Sequence, residues 1–263
     1  MPISMVSTAA PGVGLSRAVP LMGTVFSFDL RDQVIDPAVL EAAVQTLREL
    51  EARFSPYIPD SEISRIGRGE LALEAASRDV QYVLAVCRTL RAGSGGVFDP
   101  WGWRADGRLD PSGFVKGWAV DEAGDQLEAA GVRHYAINAG GDLRLRGSPT
   151  AGRAWQVAVR HPADPGRRLV TLSIHDGAVA TSGPYERGEH IRHPDGLVPR
   201  TWTSLTVVGP MLAFADAYAT TALAMGETGL AWVEAHPGYA ALGYDTHERL
   251  FMTAGLERWL LEP

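Results

Sequence analysis

Between Met211 and Met225 the chain is small or apolar at nearly every position, interrupted only by Asp216, Thr220, Thr221 and the amphipathic Tyr218. Pro210 suits a first helical turn and Gly226 a stop, which predicts a helix of about four turns. Being apolar nearly all round, that helix is expected to be buried. A carboxylate inside it has to be paired, neutralised or bound to a cation. Asp216 and Thr220 fall one turn apart on a shared face, and carboxylate plus hydroxyl is ligand chemistry for a hard cation such as Mg²⁺. The competing reading pairs Asp216 with an arginine and lets Thr220 back-bond to the carbonyl one turn earlier.

Elsewhere the pattern alternates between the two periodicities. Residues 1–17 are small and loop-like and are expected to form a flexible lead-in. Met22–Leu30 is β-branched and aromatic, a strand. Asp36 and Pro37 open a helix whose apolar positions Val39, Leu40, Ala43, Val44, Leu47 and Leu50 run to about Phe54. Two prolines then stiffen the loop around Tyr57, and Asp60 or Ser61 caps a short helix. Ser77 or Asp79 begins another helix ending at Gly93. The Gly-rich run Gly93–Pro100 that follows is neither a dinucleotide fingerprint nor a P-loop. From Asp110 and Ser112 onward the spacing of Phe114, Val115, Trp118, Ala119 and Leu127 is helical. Gly113 then sits at a helix N-terminus, where free N–H groups favour phosphate, with Lys116 one turn in; a capped amphipathic helix with an exposed lysine explains the pattern equally well.

After Gly131 short strands take over: His134–Asn138, Leu143–Gly147, Trp155–His161, Leu169–His175, Ala178–Ser182 and Thr201–Val208. Their connections are mostly too short for helical crossovers, so the sheet is expected to be largely antiparallel. His190 and His193 lie in a polar loop with no third ligand of their type nearby, which favours one histidine as an acid–base or hydrogen-bonding partner. A helix near Thr228–His236, strands near Tyr239–Tyr244 and Arg249–Thr253, and a short helical end at 255–261 complete the pattern.

Composition narrows the class. The 263 residues are long enough for one large or two small domains. A formal charge of −7 with no dense Lys/Arg run lacks the electrostatic footprint for nucleic acid. A single cysteine, Cys87, rules out an intrachain disulfide or a cysteine-built metal cluster, and its apolar helical setting points to packing. No stretch is long and apolar enough to span a membrane. Met1–Val19 does not read as a secretory signal and holds no lipid-attachment cysteine, so a cytoplasmic location is expected.

Eight stretches occur in an order that carries a resemblance: Met22-Gly-Thr24; Phe54-Ser-x-Tyr-x-Pro-Asp-Ser-Glu-Ile-Ser64; Gly96-x-Phe-Asp-Pro100; Asp110-x-x-Gly-x-x-Lys-Gly-x-Ala-Val-Asp121; Asn138-x-Gly-Gly-Asp142; Ser182-Gly-x-Tyr-Glu-Arg187; His190-Ile-x-x-Pro194; and Ala215-Asp-x-x-x-Thr220. The sequence resembles the ApbE-type flavin transferases, FAD:protein FMN transferases, over residues 22–226. The resemblance implies an α/β (α+β), T-fold-like architecture: a largely antiparallel sheet with flanking helices in two intertwined subdomains of a single domain over 18–263, with FAD between them. It implies that Asp216 and Thr220 coordinate Mg²⁺ with the carbonyl of Gly113. It sets Met22, Tyr57, Val97, Phe98, Asp99, Asp110, Lys116 and the backbone near Arg192 against FAD, and it matches His190 to the family's proposed catalytic histidine.

The activity implied is transfer of FMN from FAD to a Ser/Thr hydroxyl of an acceptor protein, with AMP leaving. Two other readings use the same residues: an FAD pyrophosphatase with water as acceptor, and a non-catalytic flavin-binding protein. The chain departs from the family pattern at His193, where Asp is usual, and at Asp195-Gly196, where Arg-Thr-Gly is usual. The connections from Phe98 to Asp110 and from Arg187 to His190 are also short.

Overall fold

Residues 3–5, 14–102, 106–164, 166–183 and 201–261 are described by a computed structural model of the chain. Strand β1 (Ile3–Met5) is followed by the hairpin β2 (Leu15–Leu21) and β3 (Thr24–Leu30), then by helices α1 (Pro37–Phe54), α2 (Glu62–Gly67), α3 (Arg78–Gly93) and α4 (Ser112–Ala129). Strands β4 (Tyr135–Ala139), β5 (Asp142–Arg146), β6 (Trp155–Arg160), β7 (Arg168–Ile174), β8 (Gly177–Ser182) and β9 (Trp202–Gly209) come next. Helices α5 (Leu212–Met225) and α6 (Gly229–Glu234), strands β10 (Ala240–Asp245) and β11 (Leu250–Met252), and a 3₁₀ segment at Ala254–Trp259 follow.

The helix starts follow local chemistry. Asp36 caps α1 by accepting from the Ala38 amide at 2.9 Å, and Ser61 caps α2 by accepting from the Ser64 amide at 3.0 Å. Gly226, at φ 62° and ψ −127°, takes a positive-φ conformation open to glycine where α5 ends.

Among the described residues every strand pairing is antiparallel. The large sheet has the order β11-β10-β9-β8-β5-β4-β3-β2, and a small sheet has the order β1-β6-β7. Short loops account for the β2–β3, β4–β5, β6–β7 and β10–β11 hairpins, whereas β3–β4, β5–β8 and β9–β10 pair antiparallel across intervening helices or strands. Alternate residues of the central strands enter two cores. Phe26, Phe28, Ile137 and Val207 pack with Leu47, Phe114, Leu127 and Ala219 of the helices. Ala136, Leu143, Val179 and Leu242 pack with Val157, Leu172 and Ile174 of the small sheet. Both faces of the large sheet are therefore covered; β4 reads as a near-continuous apolar run, while its neighbour β5 alternates leucine with arginine.

The N-terminal lead-in expected over residues 1–17 is not wholly loop. Ile3–Met5 pairs with β6 (Ile3 with Val159), and the Ile3 side chain is buried in the second core. Leu15–Arg17 already belong to β2. Pro20 disguises β2 in the sequence, but β2 is an edge strand, where a missing N–H is tolerated. The strand expected from Met22 begins at Thr24, because Met22 and Gly23 form the turn. Among the described residues no helix is long and apolar enough to cross a membrane.

Candidate active site

Helices α4 and α5 pack closely and run antiparallel. Near the start of α5, Asp121 of α4 accepts from both the Leu212 amide (3.1 Å) and the Ala213 amide (2.8 Å), satisfying two otherwise orphaned donors. Burial pushes the Asp121 carboxyl up; these amides and the Arg144 guanidinium oppose that shift. Gly117, a turn earlier, allows the Leu212 carbonyl to approach the α4 backbone directly. A further step toward the α4 N-terminus brings Lys116 Nζ to 3.5 Å from Asp216 Oδ2. The antiparallel course therefore carries Gly113, in the first turn of α4, along the same groove toward the Thr220 end of α5.

Lys116 also ion-pairs with Asp142, which stands at the head of β5. All three groups are well shielded: the side chains of Lys116, Asp142 and Asp216 are 14%, 5% and 8% exposed. The other oxygen of Asp142 accepts from the Thr181 amide of β8 at 3.0 Å. The next residue on β8, Ser182, shares a hydrogen bond of 3.0 Å with the Thr220 hydroxyl. Two carboxylates, one ammonium and two hydroxyls from α4, α5, β5 and β8 thus meet beneath the helix pair. Among the described residues Asp216 ion-pairs with a lysine, Lys116. The threonine that back-bonds is Thr221, to the Ala217 carbonyl at 2.6 Å.

The Gly-rich loop approaches from the α3 side. The Phe98 amide donates to Ser94 Oγ at 3.0 Å, and the Phe98 ring lies over Gly113, where an added Cβ would stand 3.3 Å from Cε2. Phe98 and Gly113 are therefore brought together, with Val97 and Asp99 beside them in sequence. Asp99 accepts from the Trp101 amide at 3.0 Å and pairs with Arg91 at 3.0 Å. Asp110, which is buried, accepts from the Ser112 amide at 3.0 Å and so organises the entry to α4. Met22 occupies the β2–β3 turn, and Tyr57 stands exposed on the loop after α1. His190 and Arg192 lie outside the described residues.

Asp142, Ser182 and Asp121 were not among the site residues expected from the sequence. All three belong to the stretches that carried the resemblance, which was the signal available for them.

The ApbE family model matches residues 22–102 and 103–242. The chain belongs to the ApbE family. Among curated relatives, an FAD:protein FMN transferase of Vibrio cholerae is 25% identical over 279 residues, covering 82% of this chain and 83% of that protein. One of Haemophilus influenzae is 29% identical over 133 residues, covering 45% of this chain and 38% of that protein. The solved structure of the flavin transferase ApbE from Vibrio cholerae superposes with a TM-score of 0.82 at 24% identity, covering 95% of this chain and all of that one (100%). The mixed architecture of antiparallel sheet and flanking helices read from the sequence is the ApbE fold.

Proposed function

We propose that this chain is an FAD:protein FMN transferase, moving FMN from FAD to a Ser/Thr hydroxyl of an acceptor protein and releasing AMP. The observation that carries the reading is the Lys116–Asp142–Asp216 cluster beside Thr220, on the helix pair of an ApbE fold. Its donors are carboxylate and hydroxyl oxygens, with no sulfur or imidazole among the described residues there. That set fits a small hard divalent cation. Asp216 and Thr220 would hold it, with the Gly113 carbonyl, as the family pattern has it. A bound Mg²⁺ supplies charge neutralisation to the phosphoryl oxygens of the diphosphate.

The chain's own groups supply the rest. The acceptor oxygen attacks the flavin-side phosphorus, a new P–O bond forms there, and the bond to the AMP-side oxygen breaks. Such chemistry depends on positioning and charge stabilisation more than on an enzyme nucleophile. Lys116 and the amides of the first α4 turn place positive charge against the phosphates. Asp142 fixes the Lys116 ammonium from below. His190 takes the acceptor's proton as general base. Tyr57 and Met22 offer an aromatic and a thioether surface to the flavin ring.

Co-expression with an acceptor protein, followed by intact-mass measurement, tests this. The expected result is one FMN added per acceptor, with stoichiometric AMP, lost on chelation of divalent ions and restored by Mg²⁺. FMN and AMP released at the same rate without acceptor would establish a pyrophosphatase instead. Tight FAD binding with neither product would establish a flavin-binding protein.

A further inference from the structure

Met22 adopts a backbone conformation that methionine ordinarily avoids. The Leu21–Thr24 pair closes β2 onto β3 through a two-residue loop, and both loop residues have positive φ, 49° at Met22 and 70° at Gly23. Such a turn matches the twist of the strands, but its first central position normally falls to Asn, Asp or Gly. A side chain there sets Cβ against the neighbouring carbonyl. Among the described non-glycine residues only Met22 and Glu248 show positive φ. Asn or Gly would close the hairpin without strain, so the turn alone does not account for a methionine.

A specific contact holds the strained residue. The Met22 amide donates to Glu51 Oε1 at 2.6 Å, a short charge-assisted bond between the hairpin and the last turn of α1. The chain leaves α1 after Phe54 and reaches Tyr57 within one further turn's length. One helix end therefore fixes Met22 through the Glu51 side chain and Tyr57 through the backbone that follows. We infer that Glu51 is a positioning residue: it fastens the left-handed Met22 so that the thioether is presented, beside Tyr57, to the flat ring of the flavin. This rests on the reading of Met22 as a flavin contact given above.

The test is a double-mutant cycle on the full chain, with the FAD dissociation constant measured by calorimetry in Mg²⁺ and folding followed by thermal melting. Glu51→Ala should weaken FAD binding about tenfold, the scale of one charge-assisted hydrogen bond. Glu51→Gln, which keeps an oxygen acceptor, should stay within about twofold of the parent. Met22→Gly keeps the turn, removes the thioether, and should also weaken binding about tenfold. In the Met22→Gly background, Glu51→Ala should add nothing further, because no side chain is left to position. Additive losses would overturn the positioning role while leaving Met22 a flavin contact. Unchanged FAD binding in Met22→Gly would remove the reading of Met22 and the inference with it. Should Glu51→Ala fail to fold, Glu51→Asp, one methylene shorter, takes its place in the cycle with the same expected non-additivity.

Discussion

Gly117 of α4 lies so close to Leu212 of α5 that a Cβ at position 117 would stand 2.5 Å from the Leu212 carbonyl oxygen. The obstructing atoms are backbone and cannot rotate away. Gly117→Ala should therefore push the helices apart, at an overpacking cost of about 1–3 kcal/mol. The same displacement moves Asp216 and Thr220 together relative to Lys116 and Gly113 of α4. A thermal melt should show Tm lowered by several degrees, and calorimetric titration with Mg²⁺ should show weaker binding. An unchanged Tm together with unchanged affinity would mean that the helices do not touch there.

Asp142→Asn separates charge from shape. The amide oxygen can still accept from the Thr181 amide, so β5 and β8 stay joined. The negative charge beside Lys116 is lost, while the Lys116–Asp216 pair stays. A cation must then compete with the Lys116–Asp216 pair, in a site with one charge fewer. Both effects have the same sign, and Mg²⁺ affinity should fall about tenfold or more. Tighter binding in this variant would show that Asp142 acts against the cation.

Arg144 illustrates how burial decides the value of an ion pair. It reaches Asp121, whose side chain is 2% exposed, and Asp125, which is 66% exposed. Arg144→Ala leaves the buried Asp121 only its two amide donors among the described residues, also breaks the contacts to Glu128 and the Tyr135 hydroxyl, and should cost about 3–5 kcal/mol. Asp125→Ala removes a solvated partner and should cost less than about 1 kcal/mol. Denaturant melts of the two variants compare them directly; equal losses would contradict the assignment of Asp121 as the partner that matters.

Cys87 faces the first core with no exposed surface (0%), and burial pushes its thiol up to about 12. A raised thiol pKa keeps the sulfur protonated through pH 8 and beyond, so the reactive thiolate is scarce as well as shielded. An aromatic disulfide reagent should not label the native protein at pH 8 on the timescale of a free thiol, yet should label one site fully in denaturant. Immediate native labelling would place Cys87 outside the core.

The helices were legible because their caps and apolar spacing are local. Asp36, Ser61 and Gly226 act as their residue types imply. Strand β2 was not legible, because Pro20 breaks its pattern and only its place at the sheet edge makes the proline harmless. Spacing put Asp216 and Thr220 on one helix face, yet could not tell which of two adjacent threonines bonds back to the helix. That depends on Ser182 arriving from β8 to engage Thr220. The partner of Lys116 was equally out of reach, since Asp142 follows it by 26 residues and meets it only because β5 passes beneath α4. Pairings of this kind are settled by topology rather than by periodicity.

The bond between β1 and β6 joins Ile3 to Val159, across more than half the chain. β1 must wait, unsatisfied, until its mate β6 has been made and has turned back to it. Closing so long a loop carries an entropic cost that the local β6–β7 hairpin does not, so β1 should join the three-stranded layer after that hairpin has formed.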